Sequence, residues 1–214
     1  MDSVGIEMLG FGSVGKVPAP AYREIPSLHP SVHGYHLAAV CTNSPETTRA
    51  ASKEGGFAYG CSRIRDLMAD PNVTAVDCVL PDHAHKPAIL ECLAAGKPVY
   101  CEKPLALSSE EQCELAATAR RHNSTRGMTF NYRFFPAVLK AMELCQDSAL
   151  GEILSFHFEY LHSGYQDATR PLPWRMRRET SGGSARVDLG SHAIDLTRYL
   201  QGRSVFRKQR TRRK

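Results

Sequence analysis

Short apolar runs alternate with helix-like stretches through the first half of the chain. Residues 5–9 (GIEML) form the first run, followed by a glycine-rich loop and a segment through Ala21, Tyr22 and Arg23. Residues 36–41 (HLAAVC) precede a polar, alanine-bearing segment at 45–53. Residues 75–80 (AVDCVL) stop at Pro81 and lead to an Ala/Leu-rich segment at 85–95, which Gly96 ends. Residues 98–101 (PVYC) come before 108–122, where a serine cap and acids open a helix and Arg120, Arg121 and His122 close it. Strands spaced by helices of this length predict βαβ units and a parallel sheet. Two features disturb the pattern. Glu7 interrupts the first apolar run, and Pro18 and Pro20 fall where only a first helical turn accepts proline. The first helix is therefore expected to start late or distorted.

From about Met128 the texture changes. Asn131 to Pro136 is aromatic, and 136–145 reads as a helix. Residues 151–161 (GEILSFHFEYL) alternate apolar and polar positions and predict a strand. Residues 163–184 are rich in Gly, Pro and Arg and predict a long loop, and 187–200 returns to a helical pattern.

The length of 214 residues and 42% apolar content suit one large domain or two small ones with a real core. The net charge of +5 is uneven: seven of the 27 basic residues lie in 203–214, which leaves 20 against 22 acids in the rest. A slightly acidic body argues against a nucleic-acid-binding face, and the basic tail is read as a solvated extension. No apolar run is long enough to cross a bilayer, and the N-terminus lacks the charged region and cleavage site of a signal peptide. Seven cysteines, without a C-x-x-C pair, fit buried thiols in a reducing cytoplasm. No metal site is expected, because His83 and His85 find no third ligand at convincing spacing.

Three motifs carry chemistry. Gly10-Phe11-Gly12-Ser13-Val14-Gly15 follows the first strand, where such a loop turns tightly and lets a pyrophosphate approach the backbone. The second strand ends in Thr42, Asn43 and Ser44, without the carboxylate that usually binds a ribose 2′-hydroxyl. That tilts the expectation toward NADP over NAD, with Arg49 or Arg63 as the cation for a 2′-phosphate. The alternative is that these residues only cap the next helix. Glu102-Lys103-Pro104 sits at the carboxyl end of a strand, where parallel sheets place active sites. Asp188 and His192 are four apart, on one face of a helix, and such a pair suits general-base chemistry. Each of these last two has a plain alternative: an exposed charge pair and a partly buried structural histidine.

Taken together, GFGSVG, ECLAAGKPVYCEKPLALS and DLGSHAIDLTRYLQG resemble the glucose–fructose oxidoreductase/inositol dehydrogenase/MocA family over residues 4–202. The resemblance implies an α/β protein: an N-terminal Rossmann domain with a doubly wound parallel sheet, then an α/β domain with a mainly antiparallel sheet. It also implies hydride transfer between NAD(P) and a sugar, polyol or related carbonyl compound. The phosphate loop 10–15, the loop carrying Leu80, Pro81 and His85, and Glu102 match cofactor contacts. Lys103 matches the catalytic lysine at the cofactor, and Asp188 and His192 match the catalytic acid and histidine. Members run well over three hundred residues. The expected organisation is accordingly a dinucleotide domain at 1–127, a partial substrate and oligomerisation domain at 128–202, and the tail at 203–214. The alternative function is a non-catalytic NAD(P)-binding regulator or an inactive truncated member. No nucleic-acid or membrane partner is expected, and a homo-oligomer is left open.

Overall fold

The computed structural model describes residues 3–32, 34–122, 125–147, 149–163, 166, 167, 169 and 171–201. The tail expected at 203–214, with Gly202, lies outside the described residues. Two compact units make up the chain, one of residues 1–129 with 172–184 and the other of 130–171 with 185–214.

In the first unit strands and helices alternate as β1 (Val4–Leu9), α1 (Pro18–Leu28), β2 (Tyr35–Cys41), α2 (Pro45–Gly55), β3 (Tyr59–Cys61) and α3 (Ile64–Met68). The sequence continues with β4 (Ala75–Cys78), α4 (Asp82–Ala94), β5 (Val99–Cys101), α5 (Ser109–His122) and β6 (Arg126–Met128). The six strands form one parallel sheet in the order β3-β2-β1-β4-β5-β6. The chain starts at the centre, builds one half outward, then returns to pair β4 with β1. The order reverses between β1 and β4, and every strand delivers its carboxyl end to the same edge. That is the doubly wound arrangement expected from the sequence.

Both sheet faces are covered, which is why the central strands read as apolar runs. Ile6, Met8, Leu37 and Val40 pack with Ala19 of α1 and Ala51 of α2. Leu9, Val76, Cys78 and Val99 pack with Leu67, Ile89, Cys92, Leu93 and Leu115 from α3, α4 and α5. Glu7 breaks this pattern in space as it does in sequence. Its side chain is fully buried, and neither carboxyl oxygen has a hydrogen-bond partner among the described residues. Burial pushes its pKa up to about 8, against the pull of Lys97 and with a push from Asp70. The ammonium of Lys97 is held by the carbonyls of Asp70 and Val73, at 3.0 and 2.5 Å.

The late helix start expected after the glycine loop is present. Residues 12–17 form turns, closed by Lys16 N–H to Gly12 O at 3.2 Å and Val17 N–H to Val14 O at 3.0 Å. Helix α1 then begins at Pro18, which needs no N–H donor in that position, and it also contains Pro26.

The second unit holds α6 (Pro136–Gln146) and most of α8 (Ser184–Gln201). The loop expected at 163–184 includes the short α7 (Arg178–Ser181), which belongs to the first unit. The strand expected at 151–161 is not formed. Its backbone has no ladder partner among the described residues, and a strand exists only through pairing. Leu154 and Leu161 there are 88% and 85% exposed.

Candidate functional site

The carboxyl edge of the sheet gathers the loops that the sequence singled out in the first unit. Gly10 leaves β1 with its N–H donated to Cys41 O at 2.8 Å and with φ at +92°. That backbone suits glycine, and a β-carbon there would stand 3.0 Å from Val79 O. At Gly15 a β-carbon would meet Gly10 O and the Phe11 backbone at 2.9 Å, so the loop folds tightly on itself. Gly12 is the opposite case: a β-carbon placed there meets nothing within 4 Å. Phe11 and Val14 pack on the core below, Phe11 edge-on to Phe57 at 6.0 Å, while Gly12 and Ser13 are exposed. The side chains of Phe11 and Val14 anchor the loop, and its tip faces open space.

At the end of β2, Ser44 caps α2 by accepting Thr47 N–H at 3.2 Å. Asn43 accepts the Thr47 hydroxyl at 3.2 Å, and the Thr42 hydroxyl lies 2.7 Å from those of Thr47 and Thr48. These three residues are thus joined in a helix-capping network. Of the two arginines considered for a 2′-phosphate, Arg63 pairs with Asp66 at 2.9 Å. Arg49 is exposed and lines a shallow cavity of about 270 Å³ with Ser52, Lys53 and Phe57.

Leu80 and Pro81 follow β4, and Glu102 and Lys103 follow β5. Burial raises the carboxyl pKa of Glu102. The N–H of Lys103, the charges of Lys103 and Arg175 and the hydroxyl of Thr129 oppose that shift. The Glu102 carboxylate accepts Lys103 N–H at 3.1 Å, which fixes the backbone from which the lysine side chain departs. His85 of α4 is fully buried, with its nitrogens 2.8 Å from Pro104 O and 2.7 Å from Leu80 O. Cys78 and Cys101, in register on β4 and β5, present sulfurs within 4.8 Å of the imidazole. Both ring nitrogens are directed at backbone carbonyls, so this buried trio is an interior packing cluster.

In the second unit, Asp188 and His192 lie one turn apart on α8, as expected. His192 is 7% exposed and stacks on Tyr132, with ring centroids 4.1 Å apart and planes 11° apart. Phe130 and Tyr160 meet the imidazole at 6.3 and 6.4 Å. The Tyr132 and Tyr160 hydroxyls are hydrogen-bonded, which with burial, and to a lesser extent the charge of Asp188, pushes the Tyr132 pKa up to about 12. One turn further on, buried Asp195 takes a two-pronged ion pair from Arg133, whose Nε lies at 2.8 Å. The sequence reading missed Tyr132, Arg133, Tyr160 and Asp195 as supports of this site. The aromatic run from Asn131 and the second acid of the D-x-G-x-H-x-x-D motif were the available signals.

A doubly wound parallel sheet with a glycine loop at its switch point defines a dinucleotide-binding domain of the Rossmann class. Comparison with known proteins makes the assignment specific. Residues 4–130 match the model of an oxidoreductase family with an NAD-binding Rossmann fold, and residues 138–209 match the GFO/IDH/MocA C-terminal domain. The chain belongs to this oxidoreductase family.

The levoglucosan dehydrogenase of Pseudarthrobacter phenanthrenivorans is 32% identical over 94% of this chain and 52% of its own length. The 1,5-anhydro-D-fructose reductase of Ensifer adhaerens is 27% identical over 78% of this chain and 49% of its own. Among solved structures, a levoglucosan dehydrogenase in complex with NADH and levoglucosan superimposes with a TM-score of 0.91 at 32% identity, covering 94% of this chain and 55% of that one. An NAD-binding oxidoreductase from Klebsiella pneumoniae gives 0.84 at 30% identity, over 94% and 53%. The chain spans about half the length of these relatives. No helix among the described residues is long and apolar enough to cross a membrane.

Proposed function

We propose that the chain binds NADP(H) or NAD(H) at the carboxyl edge of its sheet. Its residues suit hydride transfer between that coenzyme and a sugar, polyol or related carbonyl compound. The observation that carries this reading is the open space at Gly12. It lies beside the switch point between β1 and β4, where a pyrophosphate can approach backbone N–H groups without meeting a side chain. The sugar-directed relatives, levoglucosan dehydrogenase and anhydrofructose reductase, support the substrate class.

A bound nicotinamide supplies C4 as the hydride acceptor or donor. Around it the chain's own residues have separate tasks. Glu102 holds the backbone of Lys103, and the lysine ammonium holds and polarises the substrate oxygen. His192 takes or returns the hydroxyl proton, its ring kept in plane by Tyr132, and Asp188 orients the substrate side. A histidine suits this task because its ordinary pKa lies near neutrality. The lack of a carboxylate at the end of β2 favours NADP(H), with exposed Arg49 as the cation for the 2′-phosphate. The alternation of residues 151–161 suits one strand of the mainly antiparallel second sheet that the family resemblance implies.

The test is a screen of anhydrosugars, polyols and aldoses with both oxidised coenzymes, read at the absorbance of the reduced nicotinamide. Lys103→Ala and His192→Ala should each lower kcat by at least a hundredfold while changing KM much less. Equal rates for the wild type and both variants would refute the assigned roles.

A further inference from the structure

Two pairs of cysteines stand in register on neighbouring strands of the sheet. Cys41 of β2 is opposite Cys61 of β3, and Cys78 of β4 is opposite Cys101 of β5. All four close their strands at the carboxyl edge and pack on the face that α3, α4 and α5 cover. Adjacent strands run about 4.8 Å apart, inside the roughly 4.4–6.8 Å that the Cα atoms of a disulfide span. A disulfide also draws its β-carbons to about 3.8 Å, closer than regular strands hold them, so one strand has to give.

Access and freedom to move separate the two pairs. Cys78 and Cys101 are sealed in the core, and β4 and β5 each lie between two other strands. Cys61 is half-buried, and β3 is an edge strand of three residues that pairs only with β2. The ends of β2 and β3 are also tied together at this point. The Cys61 carbonyl accepts Thr42 N–H at 3.3 Å and the Thr48 hydroxyl at 3.2 Å.

The two thiols of the edge pair differ in chemistry. The Cys61 sulfur donates to Arg63 O at 3.0 Å and accepts Arg63 N–H at 3.4 Å. An N–H directed at a sulfur favours its thiolate, the form that attacks an oxidant. Cys41 is buried, and burial, then the neighbouring Cys61 and Glu7, push its pKa up to about 12.

We propose that Cys41 and Cys61 form a reversible disulfide under hydrogen peroxide, with Cys61 oxidised first and Cys41 closing the bond. The Cys61 sulfur, its proton released, attacks one peroxide oxygen. The O–O bond breaks, the released hydroxide takes up that proton as water, and a sulfenic acid remains. The Cys41 sulfur then attacks the Cys61 sulfur. The S–O bond breaks, and the hydroxyl leaves with the Cys41 proton as a second water. Two thiols lose two hydrogens, and one peroxide is reduced to two waters. This geometry is independent of the coenzyme reading.

The test treats the reduced full chain with hydrogen peroxide, alkylates the remaining thiols in denaturant, and reads tryptic peptides by mass spectrometry. Peptides 24–49 and 54–63, which carry Cys41 and Cys61, should appear joined and two hydrogens lighter than their sum. Dithiothreitol should separate them. Cys78 and Cys101 should oxidise at least tenfold more slowly. Cys61→Ser should leave Cys41 a thiol, and Cys41→Ala should leave Cys61 as a sulfenic acid that dimedone traps. Separate peptides while the exposed Cys113 is oxidised would overturn the proposal. So would a link between Cys78 and Cys101 that forms as fast as the one between Cys41 and Cys61. Dimedone trapped on Cys41 in Cys61→Ser, as fast as on Cys61 in Cys41→Ala, would overturn the order of attack. The wild-type peptide map decides the linkage even where a variant fails to fold.

Discussion

The imidazole of His192 lies flat against the phenol of Tyr132, 4.1 Å between centroids and 11° between planes. Stacking of this kind fixes the plane of the ring. The hydroxyl of Tyr132 is meanwhile bonded to that of Tyr160, so the platform is itself anchored. In the proposed proton-transfer role, the histidine gains accuracy from such a support.

Replacing Tyr132 separates the stack from the hydroxyl pair. Tyr132→Phe should cost about 0.5 kcal/mol in urea unfolding, because the ring remains, and Tyr132→Ala about 2 kcal/mol or more as stacking and burial are both lost. Equal losses for the two variants would show that the stack contributes nothing.

Asp195 offers a second check on the same unit. Its side chain is 8% exposed and its partner Arg133 is 39% exposed, so the pair lies between the surface and the buried cases. The guanidinium also lies over the rings of Phe130 and Tyr199, at 5.3 Å each. Arg133→Met should destabilise by about 2 kcal/mol, mainly by leaving a buried carboxylate unpaired. Arg133→Met combined with Asp195→Asn should recover much of that loss. A double variant with the simple sum of the two single losses would contradict the coupling.

Glu7 makes stability depend on pH in a direction that can be stated in advance. Its folded pKa of about 8 lies above the ordinary 4.5, so the folded state holds a proton that the unfolded state releases between those values. The stability tied to that proton is fully present below pH 4.5 and is lost as the pH rises toward 8, at up to about 1.4 kcal/mol per pH unit. Asp77, buried and pushed up to about 6, adds to the fall between its ordinary 3.8 and that value. Glu7→Met should raise the unfolding midpoint at pH 8 and flatten the profile from pH 6 to 8. An unchanged profile would show that the carboxyl finds compensation in solution.

Much of the first unit was legible because its strands are covered on both faces and appear as apolar runs. Its two missed strands are short and centred on glycine: Gly60 in β3 and Gly127 in β6. Those glycines admit close neighbours, since β-carbons would stand 2.4 Å from Thr48 Cγ2 and 2.8 Å from Tyr100 Cδ2. Strand propensity says nothing of such approaches. The glycine loop at 10–15 and the Glu102–Lys103 turn after β5 were readable from residue type and spacing. The supports of the site were not, because they depend on long-range pairing: Arg133 and Asp195 are 62 residues apart in sequence. Residues 151–161 carry a strand's alternation, but alternation expresses a capacity to pair, and no partner is present among the described residues.

In the proposed function, the loop beginning at Gly10 cradles a nicotinamide dinucleotide. Titration of the wild type and Gly12→Val with NADH and NADPH, followed by nicotinamide fluorescence, tests it most directly. The wild type should bind saturably, and Gly12→Val should lose that binding. The unfolding midpoint of the variant should stay near the wild-type value, since a β-carbon there meets no protein atom within 4 Å. No wild-type binding at millimolar coenzyme, or equal binding by the two proteins, would contradict it.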